Sequence, residues 1–283
     1  MKKCQKNSNS NQTNDLIIYR AYTGRCFYSF TFYFLLFLMT TSIASNSKTT
    51  HESLEISSCK AEKDNNISQD KGFNAIFNGN SLSGWEGDPA LWSVKDGCIV
   101  GETTEDLQIK GSSFLTWTNA IVADFELKLC FKIDGKNANS GIQYRSKYLP
   151  KEGNWKLGGY QADFDVNNEY TGIFYEASGR GVLTERGDNV ILLSEKKKNN
   201  KNLNEISNFV ASEDGGLIKA NKWYEYRIIA IGYNFIHIID NHTTVNITDN
   251  DLKKRASKGL LGFQLHDGPP MKVQFKNIRL KKL

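Results

Sequence analysis

GYQADFD, residues 159–165, alternates core-type side chains (Tyr160, Ala162, Phe164) with polar ones (Gln161, Asp163, Asp165). Successive residues of a strand point to opposite faces, so this stretch predicts a β-strand with one apolar and one polar face. SGIQYRS at 140–146 repeats the pattern, setting Ile142 and Tyr144 against Gln143 and Arg145, and GLLGFQLH at 259–266 sets Leu261, Phe263 and Leu265 against Gln264 and His266. Further alternating runs occur at Phe125–Lys132, Trp223–Ile231, Phe235–Ile239 and Val273–Leu280, separated by Gly, Asn and Asp turns. Only short stretches near Leu217 and Leu252 read as helical. The prediction is therefore all-β, an antiparallel β-sandwich or jelly roll.

Three strands that each carry Gln and a charged or titratable group on one face build a polar concave surface. Amides, carboxylates and guanidinium groups hydrogen-bond to hydroxyls, and aromatics pack on the apolar faces of pyranose rings, so such a surface fits a carbohydrate. A sheet face that is merely solvated is the alternative.

The 283 residues divide unevenly. Phe27–Ala44 is the one long apolar run, preceded by Lys2, Lys3, Lys6, Arg20 and Arg25, and reads as an export signal over 1–44 or as an uncleaved anchor. Residues 45–71 are rich in Ser, Asn, Lys and Glu without apolar period and read as a disordered tether. Ile56-Ser57-Ser58-Cys59 only loosely resembles a lipoprotein processing box, lying well past the apolar run. The folded domain is expected over 72–283, with 12% aromatic and 39% hydrophobic content in the chain supplying its core. The expected location is periplasmic or extracellular, with membrane contact only through that N-terminal segment.

The net charge of +5 is small, and Lys196, Lys197, Lys198 and Lys201 crowd one stretch that reads as a solvated loop, so no nucleic-acid partner is expected. Cys4, Cys26, Cys59, Cys98 and Cys130 have neither CxxC nor metal-ligand spacing; no disulfide framework is expected, and Cys98 and Cys130 read as small core residues. No dinucleotide, P-loop, zinc or GxSxG pattern is present, so no cofactor is evident.

Nine phrases in order, FNGNSLSGW, LWSVKDGCIVGE, DFELKLCFKI, NSGIQYRS, GGYQADFD, YTGIFYE, GRG, KWYEYRIIAIG and LLGFQLHDGPPMKVQFKNIRLK, together resemble the 3-keto-disaccharide hydrolase (3-ketoglucoside lyase/hydratase) domain family. The resemblance runs from Gly72 to the C-terminus; the lysine-rich stretch at 196–202 and the long N-terminal extension fall outside it. It implies an exported protein, a fold similar to the concanavalin-like lectins and glucanases, and a sugar substrate carrying a ketone at C3. Such a ketone acidifies the C2 hydrogen, so elimination of the C1 oxygen followed by hydration amounts to hydrolysis. That chemistry needs a base, a stabiliser of the C3 enolate and an acid for the leaving group.

His266, before the turn Asp267-Gly268-Pro269-Pro270, is the first candidate base, with loop packing against Asp267 as the alternative. His237 and His242, near the Asp240-Asn241 turn, read as structural or exposed, and His51 lies in the tether. Asp163 and Asp165, roughly 7 Å apart along a strand, could divide acid and base work or hold a divalent cation. Glu176 is a further acid candidate. Arg145 and Arg180 are candidate enolate stabilisers, or else partners in structural ion pairs. Gln143, Gln161 and Gln264 are expected to orient hydroxyls. Trp155, in GNWKLGG, is expected beside the sugar, with Trp85, Trp92, Trp117 and Trp223 in the core. A non-catalytic glycan-binding module, or an anchored surface domain, would use the same face without turnover.

Overall fold

The structure is a computed structural model, described here for the backbone of residues 17–20, for Cys59, and for residues 71–193 and 217–283. Apart from residues 17–20, the expected signal lies outside the described residues, as do the rest of the tether, His51 and the lysine-rich stretch at 196–202. Among the described residues seventeen strands form two sheets. The larger runs in spatial order β1 (Ile17–Arg20), β12 (Asn189–Leu193), β15 (His242–Asn250), β14 (Asn234–Ile239), β13 (Tyr224–Ile231), β7 (Phe125–Gly135), β17 (Met271–Lys282), β5 (Cys98–Glu102) and β4 (Trp92–Lys95), with β2 (Asn74–Ala75) also on β17. The smaller runs β11 (Gly181–Thr184), β10 (Phe174–Ala177), β9 (Leu157–Asp165), β8 (Asn139–Tyr148), β16 (Gly259–Leu265), β6 (Ser113–Val122) and β3 (Trp85–Glu86). All pairings are antiparallel except β12 with β15.

The apolar sets expected from alternation meet between the sheets. Tyr144, Tyr160, Phe164 and Phe263 from the smaller sheet are fully buried against Phe131, Tyr226, Phe235 and Phe275 from the larger. Phe263 stacks on Phe275 with ring centroids 4.0 Å apart, and Phe131 meets Phe164 at 4.2 Å. Each fully buried ring stabilises the fold by about 1.5–3 kcal/mol through removal of apolar surface from water. His237, also fully buried, donates from Nδ1 to the Ile173 carbonyl at 3.2 Å and accepts from the Tyr144 hydroxyl at 2.8 Å. Its structural reading holds, and burial pushes its imidazole down to about 3.

Two expectations are corrected. No helix occurs among the described residues: Leu217 lies in irregular chain leading to a strand, and Leu252 in a turn closed by Asp251. A few residues of helical pattern cannot repay nucleation. Cys130 is not a free core thiol but is joined to Cys59 across 71 residues of sequence, while Cys98 is free and buried as expected. Side-chain alternation places Cys130 on the outer face of β7, between the core residues Leu129 and Phe131. Among the described residues no helix is long and apolar enough to cross a membrane.

Candidate functional site

The polar face of the smaller sheet floors a cleft of about 1080 Å³. Its floor is set by strand register. Gln143 on β8 lies opposite Gln161 on β9, which lies opposite Tyr175 on β10, so these side chains share one face. Their amides form a directional chain. The Ser146 hydroxyl donates to Gln143 Oε1, Gln143 Nε2 to Gln161 Oε1 at 2.6 Å, and Gln161 Nε2 to Asp163 Oδ1 and, at 3.3 Å, to Gln264 Oε1. Gln264 Nε2 then donates to Ser112 Oγ at 3.0 Å. Because the Asp163 carboxylate oxygen can only accept, the NH2 of Gln161 is aimed at Asp163, and its Oε1 in turn receives the NH2 of Gln143. Gln161 and Gln264 line the cleft; Gln143, 0% exposed, lies beneath it and orients Gln161. Gly141 makes room for this chain, since a Cβ there would stand 2.6 Å from both Asp163 Oδ1 and Gln161 Nε2.

Asp163 is 5% exposed and lines the cleft. Burial pushes its carboxyl up to about 7, opposed by the hydrogen bond from Gln161 and reinforced by Asp165. Asp163 therefore exchanges a proton near neutrality, and since Oδ1 accepts from Gln161, Oδ2 is the oxygen free to carry it. Asp165 also lines the cleft, but its carboxylate is occupied by its own loop. Oδ1 accepts from the Tyr170 N–H at 2.8 Å and the Thr171 hydroxyl at 3.1 Å, and Oδ2 from the N–H groups of Asn167 and Glu169, both at 3.2 Å. The two neighbouring carboxylates thus differ in setting: Asp165 is held by its loop, and Asp163 lines the cleft with a raised carboxyl. Among the described residues no three His, Cys, Asp or Glu side chains are grouped to hold a metal ion.

His266 lines the cleft with Asp267, Lys110, Gly111, Ser112 and Lys156. Its Nδ1 is 2.6 Å from the Asp267 carbonyl oxygen, which can only accept, so Nδ1 carries a hydrogen and in the neutral ring the lone pair is on Nε2. Asp267 in turn accepts from the Gly111 N–H at 3.1 Å through Oδ2. Lys156 Nζ donates to the Ser112 carbonyl and, at 3.5 Å, to that of Lys110. The loop 110–112 is thereby tied to Asp267, Lys156 and Gln264, which brings His266, Lys156 and the amide chain to one region of the cleft.

Four of the expected site residues lie elsewhere. Arg145 falls in a bulge between Tyr144 and Lys147, with a left-handed φ of 47° that turns it off the face of Gln143. Its guanidinium donates to the carbonyls of Ala123 (2.9 Å), Gly232 (2.6 Å) and Ala256 (3.0 Å) and to Asp124 at 2.9 Å, tying loops together away from the cleft. Arg180 and Glu176 pair with each other, and Arg180 also meets Asp249 at 2.6 Å and Asp251 at 3.7 Å, at and just beyond the C-terminal end of β15 in the opposite sheet. Tyr160 donates to the same Asp249 at 2.6 Å. Trp155 also has a positive φ, 57°, and its neighbours Lys156 and Leu157 line the cleft while it does not. In its stead Tyr170 (45% exposed), Tyr175 and Val182 supply the apolar flank. Of the remaining tryptophans, Trp85, Trp92 and Trp117 are buried, and Trp223 is half-buried beneath Lys132 and Lys276.

Sequence reasoning passed over Lys110, Ser112, Asn137, Lys156, Tyr170 and Tyr175. All but Tyr175 are in loops or just beyond strand ends, where no periodicity marks them. Tyr175 could have been found from its place opposite Gln161, had the pairing been known.

A family model described as a 3-keto-alpha-glucoside-1,2-lyase-like domain matches residues 72–281. No curated protein matches the sequence. Among solved structures, a proposed glycosyl hydrolase from Parabacteroides distasonis is 20% identical, with 75% of this chain and 94% of that one covered and a TM-score of 0.50. The carbohydrate-binding module CBM66 from Bacillus subtilis is 18% identical, covers 70% of this chain and 96% of its own, and has a TM-score of 0.47. At 20% identity the likeness to the first of these concerns the fold alone.

Proposed function

The chain belongs to the 3-keto-alpha-glucoside-1,2-lyase-like domain family, and we propose that it cleaves the glycosidic bond of 3-keto-glycosides by elimination and hydration. The observation that carries this reading is the pairing, in one polar cleft, of a buried carboxyl that titrates near neutrality with an imidazole whose lone pair is on Nε2. His266 Nε2 takes the C2 proton, and the electron pair moves to the C3 oxygen as an enolate. When the C3 carbonyl re-forms, a C1–C2 double bond is made and the C1–O bond breaks, with Asp163 Oδ2 protonating the departing oxygen. Water then adds across the enone, its oxygen to C1 and a proton to C2, giving the free 3-keto sugar and returning both residues to their starting states. Gln161 and Gln264 orient ring hydroxyls, while Tyr170 and Tyr175 offer faces for a pyranose ring.

Export to the periplasm or cell exterior belongs to the same proposal. It rests on the apolar N-terminal run and on the Cys59–Cys130 disulfide, a bond that persists in oxidising compartments.

The deciding experiment incubates the purified, oxidised chain with a 3-keto-disaccharide and with its parent, following free sugar and the transient enone absorbance. Cleavage of the keto form alone is expected. Binding of either sugar without turnover overturns the reading in favour of a glycan-binding module.

A further inference from the structure

With Arg145 and Arg180 both committed outside the cleft, the proposed reaction lacks the cation that sequence reasoning supplied for the enolate. The cleft itself contains two lysines, and they differ. Lys110 is exposed. Lys156 is half-buried, and its Nζ is held by the Ser112 carbonyl and, at 3.5 Å, by the Lys110 carbonyl. Gly111 lies against it: a Cβ on that glycine would stand 3.3 Å from Nζ. Among the described residues no carboxylate pairs with Lys156. An ammonium has three N–H donors, so two carbonyls leave one, together with the whole charge, for whatever occupies the cleft.

We propose that Lys156 is the electrophilic catalytic residue, its ammonium holding the C3 oxygen of the keto-sugar and stabilising the enolate formed when C2 is deprotonated. This rests on the elimination reading given above. A cation fixed by backbone carbonyls before substrate arrives needs no reorganisation as charge develops, which is where such groups act most strongly. The loop that carries Gly111 and Ser112 is tied to Asp267 as well, and Asp267 holds the His266 imidazole. The base and the cation therefore share one support, as removal of a proton from C2 with build-up of charge two atoms away requires.

Lys156→Gln retains an N–H donor for the Ser112 carbonyl and removes the charge; Lys156→Arg retains the charge. Each is compared with wild type for cleavage of a 3-keto-disaccharide and, in deuterium oxide, for exchange of the C2 hydrogen followed by NMR. Thermal unfolding is recorded in parallel, and inhibition by the parent disaccharide reports ground-state binding. In Lys156→Gln, exchange and kcat are expected to fall together by about a hundredfold, with the parent's inhibition constant changed less than threefold. Lys156→Arg should recover at least tenfold of that loss. If Lys156→Gln keeps C2 exchange within threefold of wild type, or loses affinity for the parent as steeply as it loses rate, the assignment is overturned. Should Lys156→Gln fail to fold, a Lys156→Arg protein that folds yet exchanges no faster than background overturns it equally. A wild-type protein that neither exchanges nor cleaves sinks the elimination reading itself, whereas an active wild type with an active Lys156→Gln sinks only Lys156.

Discussion

Replacing Asp163 by Asn mimics the protonated carboxyl without the ability to ionise, so it isolates what burial of this group costs. In the unfolded chain the carboxyl titrates near 3.8, and in the fold near 7. Below the unfolded value both states are protonated and the group is neutral to stability. As pH rises, the unfolded state releases its proton first, and stability is lost until the folded value is passed. Three units at 1.36 kcal/mol each give a penalty of about 4 kcal/mol, complete above pH 7. His237 acts in the opposite sense. Its imidazole, held down to about 3 by burial, makes the fold lose stability as pH falls below the ordinary histidine value of about 6.5. Between pH 4 and 6.5 the two slopes oppose and nearly cancel, so these two groups leave wild type with a nearly flat profile there. Urea unfolding of both proteins, disulfide intact, at half-unit steps from pH 4 to 8 provides the assay. Asp163→Asn is expected to match wild type at pH 4, gain with pH, and exceed it by about 4 kcal/mol at pH 8, while cleaving no 3-keto-disaccharide. A stability difference that stays constant across this range would refute the burial argument.

Gly141→Ala should push Asp163 and Gln161 apart, because its Cβ would stand 2.6 Å from each; loss of the Gln161 bond raises the Asp163 carboxyl further, so turnover falls at least tenfold and the alkaline limb of kcat/KM moves to higher pH. Arg180→Met removes the cation from buried Asp249 and its neighbours Glu176 and Asp251, at a cost of about 3–5 kcal/mol, read as a fall of roughly 10 °C in Tm. A smaller effect on kcat, measured below the transition, would support its position outside the cleft. Cys59→Ser opens a 71-residue link and should lower unfolding free energy by about 2–4 kcal/mol in urea titration, with wild type under reductant matching the variant.

Strand faces were legible because a period of two survives in any antiparallel sheet. Gln143, Gln161, Asp163 and Gln264 were grouped correctly before any pairing was known, and Gln143 does lie opposite Gln161. The same rule failed at Arg145, two residues after Gln143, because a bulge inserts residues without a partner and sends the side chain off the predicted face. Arg180 was misleading for another reason. Its flanking glycines suggest freedom, but the carboxylate that fixes it, Asp249, comes from 69 residues further along. Long-range pairing likewise hid Cys59–Cys130, since Cys59 sits in a stretch with no pattern at all. Lys156 was invisible beside the more conspicuous Trp155, whose positive φ breaks the alternation that would have assigned the two neighbours to faces, and it is Lys156 that lines the cleft.

The displacement of both arginines has a chemical consequence for Asp163. The donor it receives is an uncharged amide, which holds its orientation while opposing only part of the rise caused by burial. A cation in that place would lower the carboxyl by about 1–3 units, leaving it ionised at neutral pH and unable to protonate a leaving group. Gln161→Lys tests this directly, since its ammonium would stand where Gln161 Nε2 meets Asp163. The alkaline limb of kcat/KM, expected near pH 7 in wild type, should move down by 1–3 units, and activity at pH 7 should fall at least about fivefold with partial recovery at pH 5. Had Asp163 served as the base, the same substitution would keep it ionised and competent at lower pH, so the acidic limb would move down and activity at pH 5 would rise above wild type. The direction in which the profile changes therefore separates the acid role from the base role at this carboxyl.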